Sequence, residues 1–116
     1  MAIARKFKIT KLVIAANICP FDEWFETLAV EDQQMVDLRL ARVQLGSFGE
    51  INTVGEGVWE LKFRKGRALR IYYGQTGREI ILILVGGDKR TQKKDIEKAK
   101  ELFQLYKKER ATDENH

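Results

Sequence analysis

Between Val58 and Arg64 the chain alternates sides at every residue, and it does so again from Leu69 to Tyr73. Trp59, Leu61 and Phe63 fall on one side of an extended segment and Glu60, Lys62 and Arg64 on the other. After Lys65-Gly66-Arg67-Ala68 the pattern returns, with Leu69, Ile71 and Tyr73 opposite Arg70 and Tyr72. Period-two alternation is the mark of a strand with one buried face. Beyond Gln75-Thr76-Gly77-Arg78, residues 80–85 are apolar without a break. That run is too short for a helix of ordinary length and reads as a central strand covered on both faces. Short glycine-containing turns join the three segments as hairpins, giving an antiparallel three-strand meander. Its two faces should differ. One is apolar; the other, over the first two strands, is cationic, because Lys62, Arg64, Lys65, Arg67 and Arg70 occur with no acid between them.

The flanking segments supply the remaining elements. Residues 6–15 read as an N-terminal strand, with Phe7 and Ile9 on one phase and Leu12 and Ile14 on the other, which suggests a bulge or burial on both faces near Thr10 and Lys11. Pro20 suits the first turn of a helix, and Phe21, Trp24, Phe25 and Leu28 follow at helical spacing, with Asp22, Glu23 and Glu26 outside. A second helix over 30–45 turns Val36, Leu40 and Val43 inward and ends at Gly46, forming a helical hairpin with the first. Residues 47–57 read as a loop or irregular lead-in strand. Gly86-Gly87 ends the last strand, Thr91 caps a final helix with Asp95 in its first turn, and Ile96, Ala99, Phe103 and Tyr106 form that helix's apolar stripe. The expectation is a single α+β domain over 1–110 with a polar tail at 111–116.

Composition narrows the chemistry. A 116-residue chain with 44% hydrophobic and 33% charged residues is an ordinary globular sequence. The lone Cys19 excludes a disulfide framework and reads as a small buried hydrophobe in a reducing cytoplasm. The apolar run 12–16 is far too short to span a membrane. No glycine-rich phosphate loop precedes a helix, and the only histidine is His116, so neither a nucleotide cofactor, nor an imidazole-based triad, nor a metal site is expected.

What remains is the cationic side of the sheet, within a net charge of +4. Lys62, Arg64 and Arg70 share the parity of Tyr72, and Lys89 leaves the end of the neighbouring strand beside two glycines. Arginine forks and lysine charges hold phosphates, and a tyrosine ring stacks a base, a combination suited to single-stranded RNA rather than to a duplex groove. Ordinary packing competes with this reading. Solvated charges on a strand and buried tyrosines are common, Trp24, Trp59 and Phe63 read as core, and Asp88 reads as a local turn residue.

Five segments carry a family resemblance: Pro-Phe-Asp-Glu-Trp-Phe at 20–25, Gly-Ser-Phe-Gly-Glu at 46–50, Gly-Glu-Gly-Val-Trp-Glu-Leu at 55–61, Arg-Ile-Tyr-Tyr-Gly at 70–74, and the Gly-Gly-Asp-Lys segment opening 86–100. Together they resemble the phage-derived, HigB-like "addiction module killer" toxins of the RelE/ParE superfamily of type II toxin–antitoxin systems. The resemblance implies a RelE/ParE-like fold with N-terminal strand, helical hairpin, three-strand meander and C-terminal helix. It implies a cytoplasmic toxin held inactive by a cognate antitoxin, often a helix-turn-helix protein. When freed, such a toxin acts as an endoribonuclease, an mRNA interferase that inhibits translation by cutting messenger RNA, commonly on the ribosome.

The resemblance matches Lys62, Arg70 and Lys89 to family positions; together with the cationic face it makes Arg70, Arg64, Tyr72 and Lys89 the candidate catalytic residues, and Lys62, Lys65, Arg67, Arg90 and Lys93 the RNA-binding ones, with no cofactor. Glu60 and Asp88 are the candidate general bases. Two positions depart from the family pattern. Glu60-Leu61-Lys62 stands where Glu-Leu-Arg is usual, and Gly66-Arg67-Ala68-Leu69 where Gly-Pro-Gly-Tyr is common. The alternatives are a ParE-like inhibitor of DNA gyrase and a non-catalytic module that binds an antitoxin or nucleic acid. On the endoribonuclease reading, Arg70→Ala should abolish toxicity and leave the fold intact.

Overall fold

The computed structural model describes residues 6–114, with side chains described as far as residue 111. Five strands form one mixed sheet. β1 (Lys8–Lys11), β2 (Ile51–Gly55), β3 (Val58–Lys62), β4 (Arg70–Thr76) and β5 (Ile80–Gly87) lie in the order β1-β5-β4-β3-β2. β2 to β5 form an antiparallel meander, and β1 adds to β5 in parallel at the opposite edge. The sheet is therefore larger than the expected three-strand meander. Residues 51–55, expected as a loop or lead-in, are a full edge strand, turned back on β3 through Glu56 and Gly57 at φ 55° and 81°. Positive φ at both turn residues matches the twist of a tight hairpin. The N-terminal strand is shorter than expected; beyond it Ile14 bridges to Ile18 around a small loop with Ala16 and Asn17 at positive φ.

Helices α1 (Pro20–Phe25), α2 (Val30–Gln44) and α3 (Gln92–Glu114) cover the two faces of the sheet. Under α1 and α2, Leu61, Phe63, Ile71, Tyr73, Ile81 and Ile83 meet Phe21, Leu28, Val36 and Val43. This is the apolar face that the alternation predicts. Arg39 of α2 fastens this layer to the sheet. Its Nε, Nη1 and Nη2 donate to the carbonyls of Phe48, Lys62 and Glu50 at 2.8, 2.6 and 2.9 Å, and its guanidinium lies 4.9 Å from the centre of the Phe63 ring.

The second face is covered by α3. Ala99, Leu102 and Phe103 pack on Val58, Tyr72, Leu82, Leu84 and Val85. A bulge makes this possible: Tyr72 pairs with Val85 but Tyr73 with Ile83, so Leu84 and Val85 both turn toward α3. The phase of β5 is thereby reset, and Gly86 comes to lie under the Trp24 ring and Gly87 under the Asp95 carboxylate, each too close for a Cβ. The glycine pair thus serves close packing on both faces, not the approach of a ligand's backbone. The helical run begins earlier than expected. Asp88, rather than Thr91, is the cap, accepting from the Arg90 amide at 2.8 Å over a single 3-10 turn that leads into α3. α3 continues through Glu114, into the stretch expected as a tail, while Asn115 and His116 lie outside the described residues.

Candidate functional site

Register gathers the sequence candidates at one end of the sheet. Lys62 is opposite Arg70 on β4, and Arg70 is opposite Gly87 on β5, so the three form one rung. Arg64, Lys65 and Arg67 lie in the hairpin beyond that rung on one side, and Lys89 and Arg90 leave β5 on the other. Strand pairing thus brings together residues that are up to 28 positions apart, from Lys62 to Arg90. Lys93 sits one residue into α3, exposed.

Behind the rung the side expected to face solvent is closed. Tyr72 is fully buried, Glu60 is 1% exposed and Arg70 8%. The Glu60 carboxylate Oε2 accepts from the Tyr72 hydroxyl at 2.9 Å and from the Gln92 amide at 3.0 Å, with Arg70 Nε at 3.5 Å. That last contact is an ion pair by distance and not a hydrogen bond; Arg70 Nε has no hydrogen-bond partner among the described residues, while Nη1 donates to the Ala68 carbonyl at 3.0 Å. A buried carboxylate costs several kcal/mol unless it is paired and hydrogen-bonded. Arg70, Tyr72 and Gln92 provide that compensation together. Burial, then the hydrogen bond to Glu60, raise the Tyr72 hydroxyl far above the usual phenol range. Tyr72 therefore offers neither a stacking face nor a readily released proton at the surface. Arg70 is likewise committed to Glu60, so Arg70→Ala strands a buried charge rather than leaving the fold intact.

The outward cations differ in how they are held. Arg64 grips Glu50 with two donors, Nε at 2.7 Å and Nη2 at 3.0 Å. Arg67 lies 3.7 Å from Asp32 and Arg90 3.2 Å from Asp88. Hydrogen bonding from Arg90 holds the Asp88 carboxyl below its ordinary range, which makes Asp88 a cap and counter-ion rather than a base. Lys62, Lys65, Lys89 and Lys93 have no ion-pair partner among the described residues. Surface pairs of this kind contribute little to stability and exchange readily for another anion.

Two depressions flank the rung. On the β5 side, a cavity of about 290 Å³ has Trp24, Arg67, Gly86, Gly87, Arg90 and Asp95 among its walls. Desolvation raises the Asp95 carboxyl above its ordinary range, although the Thr91 hydroxyl, 2.5 Å from Oδ2, opposes this. On the β3 side, a groove of about 570 Å³ runs between α2 and the strand end, with Arg42, Lys62, Arg64 and Lys65 on its walls. Arg39, Arg42, Gln92 and Asp95 escape a strand-based search. All four come from helices, and only Asp95 was singled out by its place in a first helical turn. No group of three or more His, Cys, Asp or Glu side chains suited to holding a metal occurs among the described residues, and no helix of those residues is long and apolar enough to cross a membrane.

The fold and site define a small α+β protein with a mixed sheet, one end of which presents cations outward in front of a buried Arg70–Glu60 pair. By comparison with known proteins, the chain belongs to the family described as "Phage derived protein Gp49-like (DUF891)", whose model matches residues 23–104. It is 38% identical over 85 residues to an uncharacterized protein of Haemophilus influenzae strain Rd, an alignment covering 72% of this chain and 86% of that one.

Proposed function

We propose that this protein is the toxin of a type II toxin–antitoxin module and that it cleaves messenger RNA, held by the cationic end of its sheet. The Gp49-like family is associated with toxin–antitoxin modules, which supports a toxin role and an antitoxin partner. The observation that carries the RNA reading is the rung Lys62–Arg70–Gly87, around which lysines without ion-pair partners among the described residues and exposed arginines converge from the β3–β4 hairpin and from the end of β5.

In RNA cleavage the ribose 2′-hydroxyl gives its proton to solvent water as its oxygen attacks the adjacent phosphorus, the bond from phosphorus to the 5′-oxygen breaks, and that oxygen takes a proton. The protein must hold the strand in line and stabilise the charge that builds on the phosphate. On this reading Lys62 and Lys89 stabilise that charge. The exposed guanidinium groups of Arg64, Arg67 and Arg90 can each exchange a half-covered carboxylate for a phosphate oxygen, and Lys65 and Lys93 extend the contact to neighbouring phosphates. Arg70 acts from behind, fixing the strand ends through Glu60. The proton for the leaving oxygen comes from a lysine ammonium or from water, since Tyr72 is enclosed. The reaction requires no metal in this scheme.

The test is to induce the wild-type chain and the double variant Lys62→Gln/Lys89→Gln in a bacterium and map new RNA 5′ ends within minutes. Discrete cuts in messenger RNA with wild type, reduced at least about tenfold in a variant that folds normally, are the expected outcome. Growth arrest with intact transcripts and damaged DNA would replace this reading with gyrase inhibition. No arrest would leave a non-catalytic binding protein.

A further inference from the structure

The cavity of about 290 Å³ at the end of β5 has walls that phosphate contacts leave unused. Trp24 of α1 and Asp95 of α3 belong to layers on opposite faces of the sheet, and both reach it. The glycine pair allows this, because Trp24 seats on Gly86 and Asp95 on Gly87 where a Cβ would push either away. Trp24 is half-buried, and with the buried Leu28 and Leu69 it gives the cavity an apolar side. Asp95 gives it a polar one. Its Oδ2 accepts from the Thr91 hydroxyl at 2.5 Å, while no hydrogen bond to Oδ1 occurs among the described residues. Arg67 and Arg90 line the same space with exposed guanidinium groups.

These walls discriminate among occupants. A phosphate inside would bring its charge beside both Asp88 and Asp95, so anions are held at the arginines and kept out of the interior. A flat aromatic ring, by contrast, can lie against Trp24 and the two leucines. Its edge must offer donors to Asp95, because a partly desolvated carboxylate short of hydrogen bonds gains from each one supplied. Among the RNA bases guanine alone carries two adjacent donors, N1–H and N2–H, on its Watson–Crick edge, and its O6 and N7 are the acceptors that an arginine fork reads. Adenine and cytosine set an amino donor beside an acceptor, and uracil sets one donor between two acceptors. Each would turn a lone pair toward the carboxylate.

We infer that this cavity is a specificity subsite for an unstacked guanine, with the ring against Trp24, N1–H and N2–H donating to Asp95, and O6 and N7 facing Arg67 or Arg90. Its part in choosing where RNA is cut rests on the RNA reading above; guanine binding itself does not. Gly87 belongs to the rung Lys62–Arg70–Gly87, so a guanine held here sets the adjoining phosphates beside the cations of that rung.

The test titrates the full chain with 5′-GMP, AMP, CMP and UMP, and with two labelled 12-nucleotide RNAs, one all uridine and one with a single central guanosine. Wild type should bind GMP at least about fivefold tighter than the other nucleotides, and the guanosine RNA at least about fivefold tighter than the uridine RNA. Asp95→Asn should remove both preferences and leave affinity for the all-uridine RNA within about twofold, since phosphate contacts carry no base information. In NMR spectra of wild type, GMP should shift the Trp24 indole N–H and the Gly86 and Gly87 amides and leave Arg42 and Lys65 unmoved, which places the site without any variant. Equal affinity for all four nucleotides, GMP shifts confined to other residues, or a GMP preference that survives in folded Asp95→Asn would overturn the proposal. RNA bound equally with and without guanosine would overturn the subsite and leave the RNA reading standing. Selective GMP binding with no RNA bound would leave the guanine site standing and remove the RNA reading.

Discussion

Under α1 and α2 the sheet meets Phe21, Leu28, Val36 and Val43 with aliphatic and aromatic side chains; the polar groups there are the Tyr73 hydroxyl, raised by burial to about 12, and the Arg39 guanidinium at the layer's edge. Under α3 the same strands present Val58, Leu82, Leu84 and Val85 along most of their length, but at one end they present Glu60, Tyr72 and Arg70. Both buried charged residues among those described are on this second face. The first layer is held by area removed from water, which tolerates changes of shape that preserve volume. The polar end of the second depends on complete pairing, and losing one partner leaves the other stranded. Its position explains that construction: the cluster fixes the ends of β3 and β4 immediately behind the outward cations, so rigidity and function meet at one rung.

That contrast can be broken most sharply at Arg70. Arg70→Ala should lower unfolding stability by about 3–5 kcal/mol, because Glu60 is left buried without its counter-charge, and adding Glu60→Gln should recover part of the loss. Leu61→Ala on the opposite face should cost about 2–5 kcal/mol by cavity formation, and Glu60→Gln should not restore it. Urea unfolding of the two single variants and their Glu60→Gln doubles decides whether the faces are held by different means. Equal rescue in both backgrounds would erase the distinction.

Lys62→Gln and Lys89→Gln sharpen the separation between structure and surface. Each should change stability by less than about 0.5 kcal/mol, as partnerless surface residues do. Each should also lower the magnitude of the salt slope of single-stranded RNA binding by about 0.7, the value for one lost phosphate contact. Titrations at a series of potassium chloride concentrations measure this. An unchanged slope would place the strand elsewhere.

The smallest effect belongs to Asp95. Its carboxyl is raised by desolvation, so the folded state holds the proton more tightly than the unfolded chain does. Its contribution to stability is present below the unfolded carboxyl range near pH 4 and is lost as pH rises through the higher folded value. Asp88 runs the other way, contributing above the unfolded value and losing that contribution as acid protonates it through its lowered folded value. Asp95→Asn should therefore flatten the fall in stability just above pH 4, and Asp88→Asn should flatten the rise with pH just below it. Thermal melts across that range distinguish them.

Much of the architecture was legible in the sequence because alternation and helical spacing are local. The sides taken by Trp59, Leu61 and Phe63, the two-sided burial of Ile81 to Val85, and the inward residues Val36 and Val43 all follow from period. The edge strand 51–55 was not legible as such. Its polar Asn52 and Thr53 and terminal Gly55 carry little pattern, since an edge strand half open to water needs little. Tyr72 shows a different limit. Alternation placed it on the side away from Leu61, but not beneath a helix. A signal was present: a β5 covered on both faces requires something over the side that β4 shares with it, and the stripe of Ile96, Ala99 and Phe103 had no other apolar surface to meet.

The sequence by itself determined the meander, its apolar side, the helix pair, the final amphipathic helix and the concentration of cations between Lys62 and Lys93. Those are consequences of periodicity and composition within short windows. Only the tertiary structure decided which cations remain free. Whether a charge faces water or a carboxylate depends on strand register, on the bulge at Leu84 and Val85 that sets Gly87 against Asp95, and on the path of α3 across Glu60 and Tyr72. Ion pairing and burial are properties of distances across the fold, and Glu60, ten residues from Arg70 in the chain but 3.5 Å away in space, is neutralised there by a partner and a lid that no local pattern announces.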